Sequence, residues 1–394
     1  MTFVEKVLND RKTSERSGVT MRRTLIALSA AVLLAGPLAV GGSAEPPADT
    51  PGTVVGTDAL SRDLWIEGTG TARRLTYWTQ TSDHTPALST GAIFIPAGTP
   101  PRGGWPVVSW EHGTTGLSDD CAPTIIGRID IEMTYLATWM KQGYAIVATD
   151  YIGVGSPRLQ PFLDGHAEAY AAIDMVRAAR AVDDSLSTKW VAIGASEGGG
   201  AAVFTASLAT SYAPDLDYRG AVATGPASQI AELPMLLTQP QAPDLHNWHT
   251  TAYGAYIVGG LKAARPALDV DSYLTPVGKD MVEAAKTLCF DDLAARAHGV
   301  EVKQMVTRPV SEGDFPAIAH EVFDIPMFGY DRPLFIGQGL QDQDVFPEMT
   351  AKLIADLETH GARLDVHIYP DKDHLATVLG SLPDSLPFVA RLFA

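Results

Sequence analysis

The chain has 394 residues, with 29 Lys and Arg against 46 Asp and Glu, for a formal net charge of −17. Hydrophobic residues make up 46% and charged residues 19%, which permits a large buried core and excludes global disorder. So acidic a balance excludes nucleic acid, whose phosphates need clustered Lys and Arg, and an anionic membrane surface. Neutral or apolar small molecules remain as partners.

Residues 21–44 have the plan of a secretory signal peptide. Arg22 and Arg23 form a positive start, 25–40 an apolar stretch broken by Gly36 and Pro37, and Gly42-Ser43-Ala44 a small-residue cleavage site. The apolar stretch is shorter than the ~20 residues of a membrane span, so no stable membrane anchor is expected. Residues 1–20 are polar and mixed in charge, which is unusual ahead of a signal. Met21 is read as the start, and 1–44 as removed from a secreted, extracellular, monomeric protein. Residues 45–56 are Pro-rich and read as a linker.

Short apolar runs then alternate with helical stretches. Strands are expected at 75–79, 92–96, 106–110, 145–149, 190–194, 220–224, 333–337 and 364–369, and several are continuously apolar, as in parallel strands covered on both faces. Helices are expected at 130–141, 167–180, 197–211 and 347–360, the last with Pro347 in its first turn and Gly361 just past its end. This alternation predicts a mostly parallel eight-stranded α/β sheet with helices on both faces, formed by residues 57–225 and 331–394. Residues 226–330 break the rhythm and are rich in Ala, Leu, aromatics and prolines. So long a connection is expected to be functional, and is read as an inserted, mostly helical cap.

The chemistry-bearing residues lie where such a sheet needs them, beyond the carboxyl ends of strands. Ser196 sits in Gly194-Ala195-Ser196-Glu197-Gly198, a G-x-S-x-G pattern between the run KWVAI and a helix. The pattern alone is weak. In that context, the glycines permit a sharp strand-to-helix turn that lifts a serine hydroxyl above the sheet. A serine nucleophile needs a base, and the base needs an acid, in the chain order Ser, acid, His. Asp342 follows a strand end and is preferred to Asp344. His374, after the final strand, is preferred to His360 and His367. The oxyanion site is expected from the backbone N–H of Glu197 and of Thr114 or Thr115, Thr114 being preferred. His112 is read as shaping that loop, and Asp150 and Tyr151 as structural. Cys121 and Cys289 are the two cysteines, and in an exported chain they are expected to form one disulfide, with two separate buried thiols as the alternative.

HGTTG, GYAIVATDYIGVGSP, GASEGGG, the long insertion, GQGLQDQDVFP and the late Asp-His together resemble the secretory lipase family of the α/β-hydrolase superfamily, from about Leu64 to the end. The resemblance implies an α/β-hydrolase fold, a Ser196-Asp342-His374 triad, carboxylic esters such as acylglycerols as substrates, and no cofactor; no HExxH, CxxC or EF-hand spacing occurs, so no metal is expected. It also implies a Cys121–Cys289 bond from core to cap, and contact with lipid that is transient. The rival readings are a serine peptidase on the same fold and a binding protein that has kept the fold without catalysis.

Overall fold

The computed structural model describes residues 49–394; the expected signal peptide lies outside them. Nine strands form one sheet: β1 (Val54–Ala59), β2 (Thr69–Gln80), β3 (Pro86–Pro96), β4 (Trp105–Glu111), β5 (Ala145–Ile152), β6 (Leu186–Ala195), β7 (Asp217–Thr224), β8 (Leu334–Gly339) and β9 (Leu364–Tyr369). Their order is β1-β2-β3-β5-β4-β6-β7-β8-β9. The first three strands and the β3–β5 pairing are antiparallel, and all pairings from β5 to β9 are parallel.

All eight expected strands occur. The ninth, β1, corrects both the strand count and the linker boundary, because Val54 to Gly56 pair with β2 instead of ending a linker. None of its residues is buried, so no apolar pattern marks it. The burial patterns explain the rest. In β2, buried Ala72, Leu75, Tyr77 and Thr79 alternate with more exposed neighbours, whereas every residue of β5 is buried. A strand with one wet face alternates; one covered on both faces does not.

The covers are helices. Among the described residues these are α1 (Pro123–Ile126), α2 (Asp130–Lys141), α3 (Gly165–Val182), α4 (Glu197–Tyr212), α5 (Glu232–Leu237), α6 (Trp248–Ala264), α7 (Pro276–Ala285), α8 (Phe290–Arg296), α9 (Phe315–Phe323), α10 (Pro347–Thr359), α11 (His374–Gly380) and α12 (Leu382–Phe393). On one sheet face Val107, Val147 and Ala192 pack with Ile173 and Val176 of α3, Val203 of α4 and Leu353 of α10. On the other, Val108, Ile146 and Val191 pack with Leu136 and Trp139 of α2 and Phe388 of α12. Adjacent residues such as Val107 and Val108 thus feed opposite cores, the period of two that a strand imposes. No helix among the described residues is long and apolar enough to cross a membrane.

Between β7 and β8 come α5 to α9 and no named strand. This inserted segment has its own apolar cluster, including Tyr256, Leu261, Met281, Leu293 and Phe315, into which Leu117 and Phe162 project from loops of the sheet domain. Cys121 and Cys289 are bonded across 168 positions, and Phe290 N–H donates to the Thr115 carbonyl at 2.9 Å beside them. Constraining so long a loop in the unfolded chain stabilises the fold by several kcal/mol. Replacing both cysteines by serine should therefore cost about 2–5 kcal/mol, seen as a lower urea midpoint; an unchanged midpoint would refute a stabilising role.

Candidate active site

The site is built where β6 turns into α4. Ser196, between them, has φ 61° and ψ −122°, a conformation that non-glycine residues rarely adopt. Two glycines make the turn possible. A Cβ on Gly194 would lie 1.9 Å from the Gly198 carbonyl oxygen, and one on Gly198 would lie 1.8 Å from that of Glu111. The end of β6, the start of α4 and the end of β4 therefore meet backbone to backbone, leaving Ser196 as the side chain at the crest. Its N–H donates to the Thr224 carbonyl and its own carbonyl accepts from Gly200 and Ala227, each at 3.0 Å.

Asp342 lies in the loop after β8 with its side chain fully buried. Its Oδ1 accepts the backbone N–H groups of Asp344 and Val345, both at 2.9 Å. Gln338 Nε2 donates to Oδ2 at 3.2 Å, and the same oxygen lies 2.7 Å from His374 Nδ1. Asp344, the rival acid, faces His249 Nδ1 of α6 at 3.1 Å instead. The imidazole of His374 packs over Gly225, where a Cβ would sit 3.1 Å from Nδ1 and Cε1. Gly225 adjoins Thr224, which holds the Ser196 N–H, so serine and histidine flank one short piece of backbone. Burial pushes the His374 pKa down, but the hydrogen bond and charge of Asp342, with the charges of Asp344 and Asp373, outweigh it and leave it raised.

Ser196, Thr114 and Glu197 line one pocket. Its walls are apolar: Phe162 and Leu163 from the sheet domain, Ile230, Tyr253 and Ile257 from the inserted segment, and Met349 of α10. His112 is 1% exposed, its Nδ1 is 2.7 Å from the Gly113 carbonyl oxygen, and Tyr151 Oη donates to its carbonyl at 3.1 Å. Burial lowers its pKa, so it sits neutral in the loop that carries Thr114. Asp150 accepts from Thr90, Thr124 and the Thr124 backbone, a brace for the turn leading into α1. His360 and His367 are engaged elsewhere, with the Asp356 carbonyl and with Asp365.

The structure also gathers acids that the sequence did not single out. Glu132 of α2 accepts the Gly113 N–H, and its pKa is pushed up to about 6 by burial, against the pull of Arg128. Glu168 of α3 and Gln160 reach Glu197 from a segment with no motif of its own. Asp342, Asp344 and His374 come within 4.8 Å of one another, as do Glu232, His320 and Asp324 elsewhere. In the first group the Asp342 oxygens are already committed to N–H donors and to the imidazole, an arrangement suited to proton transfer.

Comparison with known proteins agrees with this architecture. Residues 122–310 match the model of the secretory lipase family, and residues 319–384 that of the prolyl oligopeptidase family. The structure of Candida antarctica lipase A in its closed state superposes with a TM-score of 0.73 at 21% identity, over 88% of this chain and 84% of that one. The rice cell wall degrading esterase LipA from Xanthomonas oryzae gives 0.68 at 20% identity, over 87% and 98%. In sequence the chain is 24% identical to lipase A of Moesziomyces aphidis, over 87% of this chain and 76% of that one. It is 23% identical to a Mycobacterium tuberculosis protein named a probable inactive lipase, over 89% and 81%. The fold is that of the α/β-hydrolases. Residues 122–310 carry the resemblance to the secretory lipase family, and the class the chain falls in is that of a lipase-like carboxylic ester hydrolase.

The backbone contact under the elbow gives a direct test. Gly198→Ala must push Glu111 and Ser196 apart, and is expected to lower ester hydrolysis about a hundred-fold or more. A control substitution at Gly56, where a Cβ would meet only side-chain atoms of Thr76 at 3.9 Å, should leave activity intact. Full activity in the Gly198 variant would refute the role given to the close approach.

Proposed function

We propose that the chain is a secreted, extracellular serine esterase, a triacylglycerol lipase or lipase-like esterase, in which Ser196, His374 and Asp342 form the catalytic triad. The observation that carries this reading is the pairing of a serine held at positive φ beside an apolar pocket with an imidazole 2.7 Å from a buried carboxylate. His374 takes the proton of Ser196 as the hydroxyl attacks the ester carbonyl. The backbone N–H groups of Glu197 and Thr114 hold the oxyanion, while Asp342 stabilises the imidazolium. The protonated His374 then gives its proton to the leaving alcohol, and water cleaves the acyl-enzyme by the same route. The apolar walls take the acyl chain, and residues 226–330 act as the cap above it.

Two relatives keep other readings in view. The match of residues 319–384 to a peptidase family favours peptide substrates, and the mycobacterial relative favours loss of catalysis. The deciding experiment is hydrolysis of p-nitrophenyl esters from acetyl to palmitoyl by the intact protein and by Ser196→Ala. Activity that reaches the long chains and vanishes in the variant supports a lipase; activity limited to short chains leaves an esterase. No Ser196-dependent turnover on any ester overturns the proposal.

The acid limb of the pH profile is a second test. The free enzyme needs neutral His374, whose pKa is raised, so kcat/KM should fall as pH drops through a value above the ordinary 6.5. Asp342→Asn should move that limb down and reduce kcat by roughly three to four orders of magnitude. An unmoved limb would remove Asp342 from its role.

A further inference from the structure

Beneath the nucleophile lies a pair of acids that the hydrolytic route does not use. Glu197 and Glu168 are each 2% exposed. Gln160 Nε2 donates to Glu197 Oε1 at 2.6 Å, and the Thr114 side chain contacts the same carboxyl. The Leu163 N–H donates to Glu168 Oε1 at 2.9 Å, and the two carboxyl groups meet in hydrogen-bonding contact. Glu197 Oε2 is buried without an N–H or O–H donor at bonding geometry. What the carboxyl meets instead is the second acid, which becomes a donor once it carries a proton.

The groups acting on this region from the surrounding elements are Asp164 ahead of α3, Tyr151 of β5, Glu111 of β4, Glu132 of α2, and Tyr253 and Tyr256 of α6. None of them is a cation. Two facing carboxylates in such a setting cannot both ionise without a large cost. We propose that Glu168 and Glu197 share one proton and act as a positioning pair, clamping Thr114 and residues 160–163 onto the Ser196 elbow; this rests on the serine-esterase reading above.

The pair ties together the parts that must stay in register. Glu197 contributes the elbow, Thr114 the oxyanion loop, and Gln160 and Leu163 the segment that forms the acyl wall. Burial pushes both carboxyl pKa values up, and the charge of Glu197 pushes that of Glu168 further. Loss of the shared proton at alkaline pH places two negative charges beside the oxyanion that forms on the substrate, and the clamp opens. Turnover therefore falls at high pH for a reason separate from the His374 limb.

The test is the pH profile of kcat on p-nitrophenyl butyrate for the wild type, Glu168→Gln and Glu168→Ala. The amide keeps a neutral hydrogen-bonding group, so Glu168→Gln should displace or abolish the alkaline limb. It should also recover at least about ten-fold of the kcat lost in Glu168→Ala, with KM little changed. Coincident alkaline limbs in the wild type and Glu168→Gln, or equal kcat for the two variants, overturn the proposal. A second readout does not depend on activity. Because the folded pKa values are raised, the wild type loses stability as pH climbs from the ordinary carboxyl range of about 4.3 toward them. The Tm of Glu168→Gln should therefore gain on the wild type as pH rises above the ordinary carboxyl range, and parallel Tm curves refute the shared proton. If the wild type hydrolyses no ester, the functional reading falls while the Tm series still decides the pair.

Discussion

Everything at this site depends on how closely three backbones approach beneath Ser196. The end of β4, the end of β6 and the first turn of α4 meet where a single methyl group at Gly194 or Gly198 would overlap a carbonyl oxygen. A serine at φ 61° costs on the order of 1–3 kcal/mol and persists only where its surroundings over-determine it. Here they do: the Ser196 N–H is fixed by Thr224, its carbonyl is shared by Gly200 and Ala227, and both flanks are locked by contact. The strain is offset by the apolar burial of α4, which is enclosed along most of its length.

The electrostatics follow from the same geometry. His374 opens α11, whose N-cap is Asp373 accepting the Ala376 N–H at 2.8 Å. A helix N-terminus disfavours an imidazolium, and so does burial. The carboxylates of Asp342, Asp344 and Asp373 reverse that balance, so the imidazole is basic enough to accept a proton and still mostly neutral above its raised pKa. On the other side of the serine the logic is opposite. Burial raises the pKa values of Glu111, Glu132, Glu168 and Glu197 and so disfavours their charged forms. The carboxylates that act on His374 thus lie apart from the buried acids around Thr114, whose pKa values burial raises.

How much of this was legible in the sequence follows from what each residue needs. Eight of the nine strands announce themselves through apolar or alternating runs, and the elbow through glycines that no other residue can replace. The choice of Asp342 over Asp344 followed from its spacing after a strand, and the loop around it turns the Asp342 carboxylate to His374 and the Asp344 carboxylate to His249. β1 was missed because an exposed edge strand carries no apolar alternation. Gln160 and Glu168 were missed for a different reason. Their partners are distant in the chain, Glu168 resembles a solvated helix residue on paper, and only the packing of α3 against α4 buries it.

The inserted segment is fastened at the two loops that carry the chemistry. Asn247 Nδ2 donates to the Gln343 carbonyl at 3.1 Å and His249 faces Asp344, so the start of α6 grips the acid loop. On the opposite side, the Cys121–Cys289 bond and the Phe290 N–H to Thr115 carbonyl contact grip the loop that carries Thr114. A large movement of α6 or α8 would therefore disturb the Asp342–His374 pair or the loop that carries Thr114. α5 is fastened differently: it is six residues long and has no fully buried residue, yet Leu233 and the preceding Ile230 form part of the pocket wall. Segments with few buried contacts open at the least free-energy cost. The pocket is thus held firmly beside Ser196 and His374 and yields most easily at the wall beside α5.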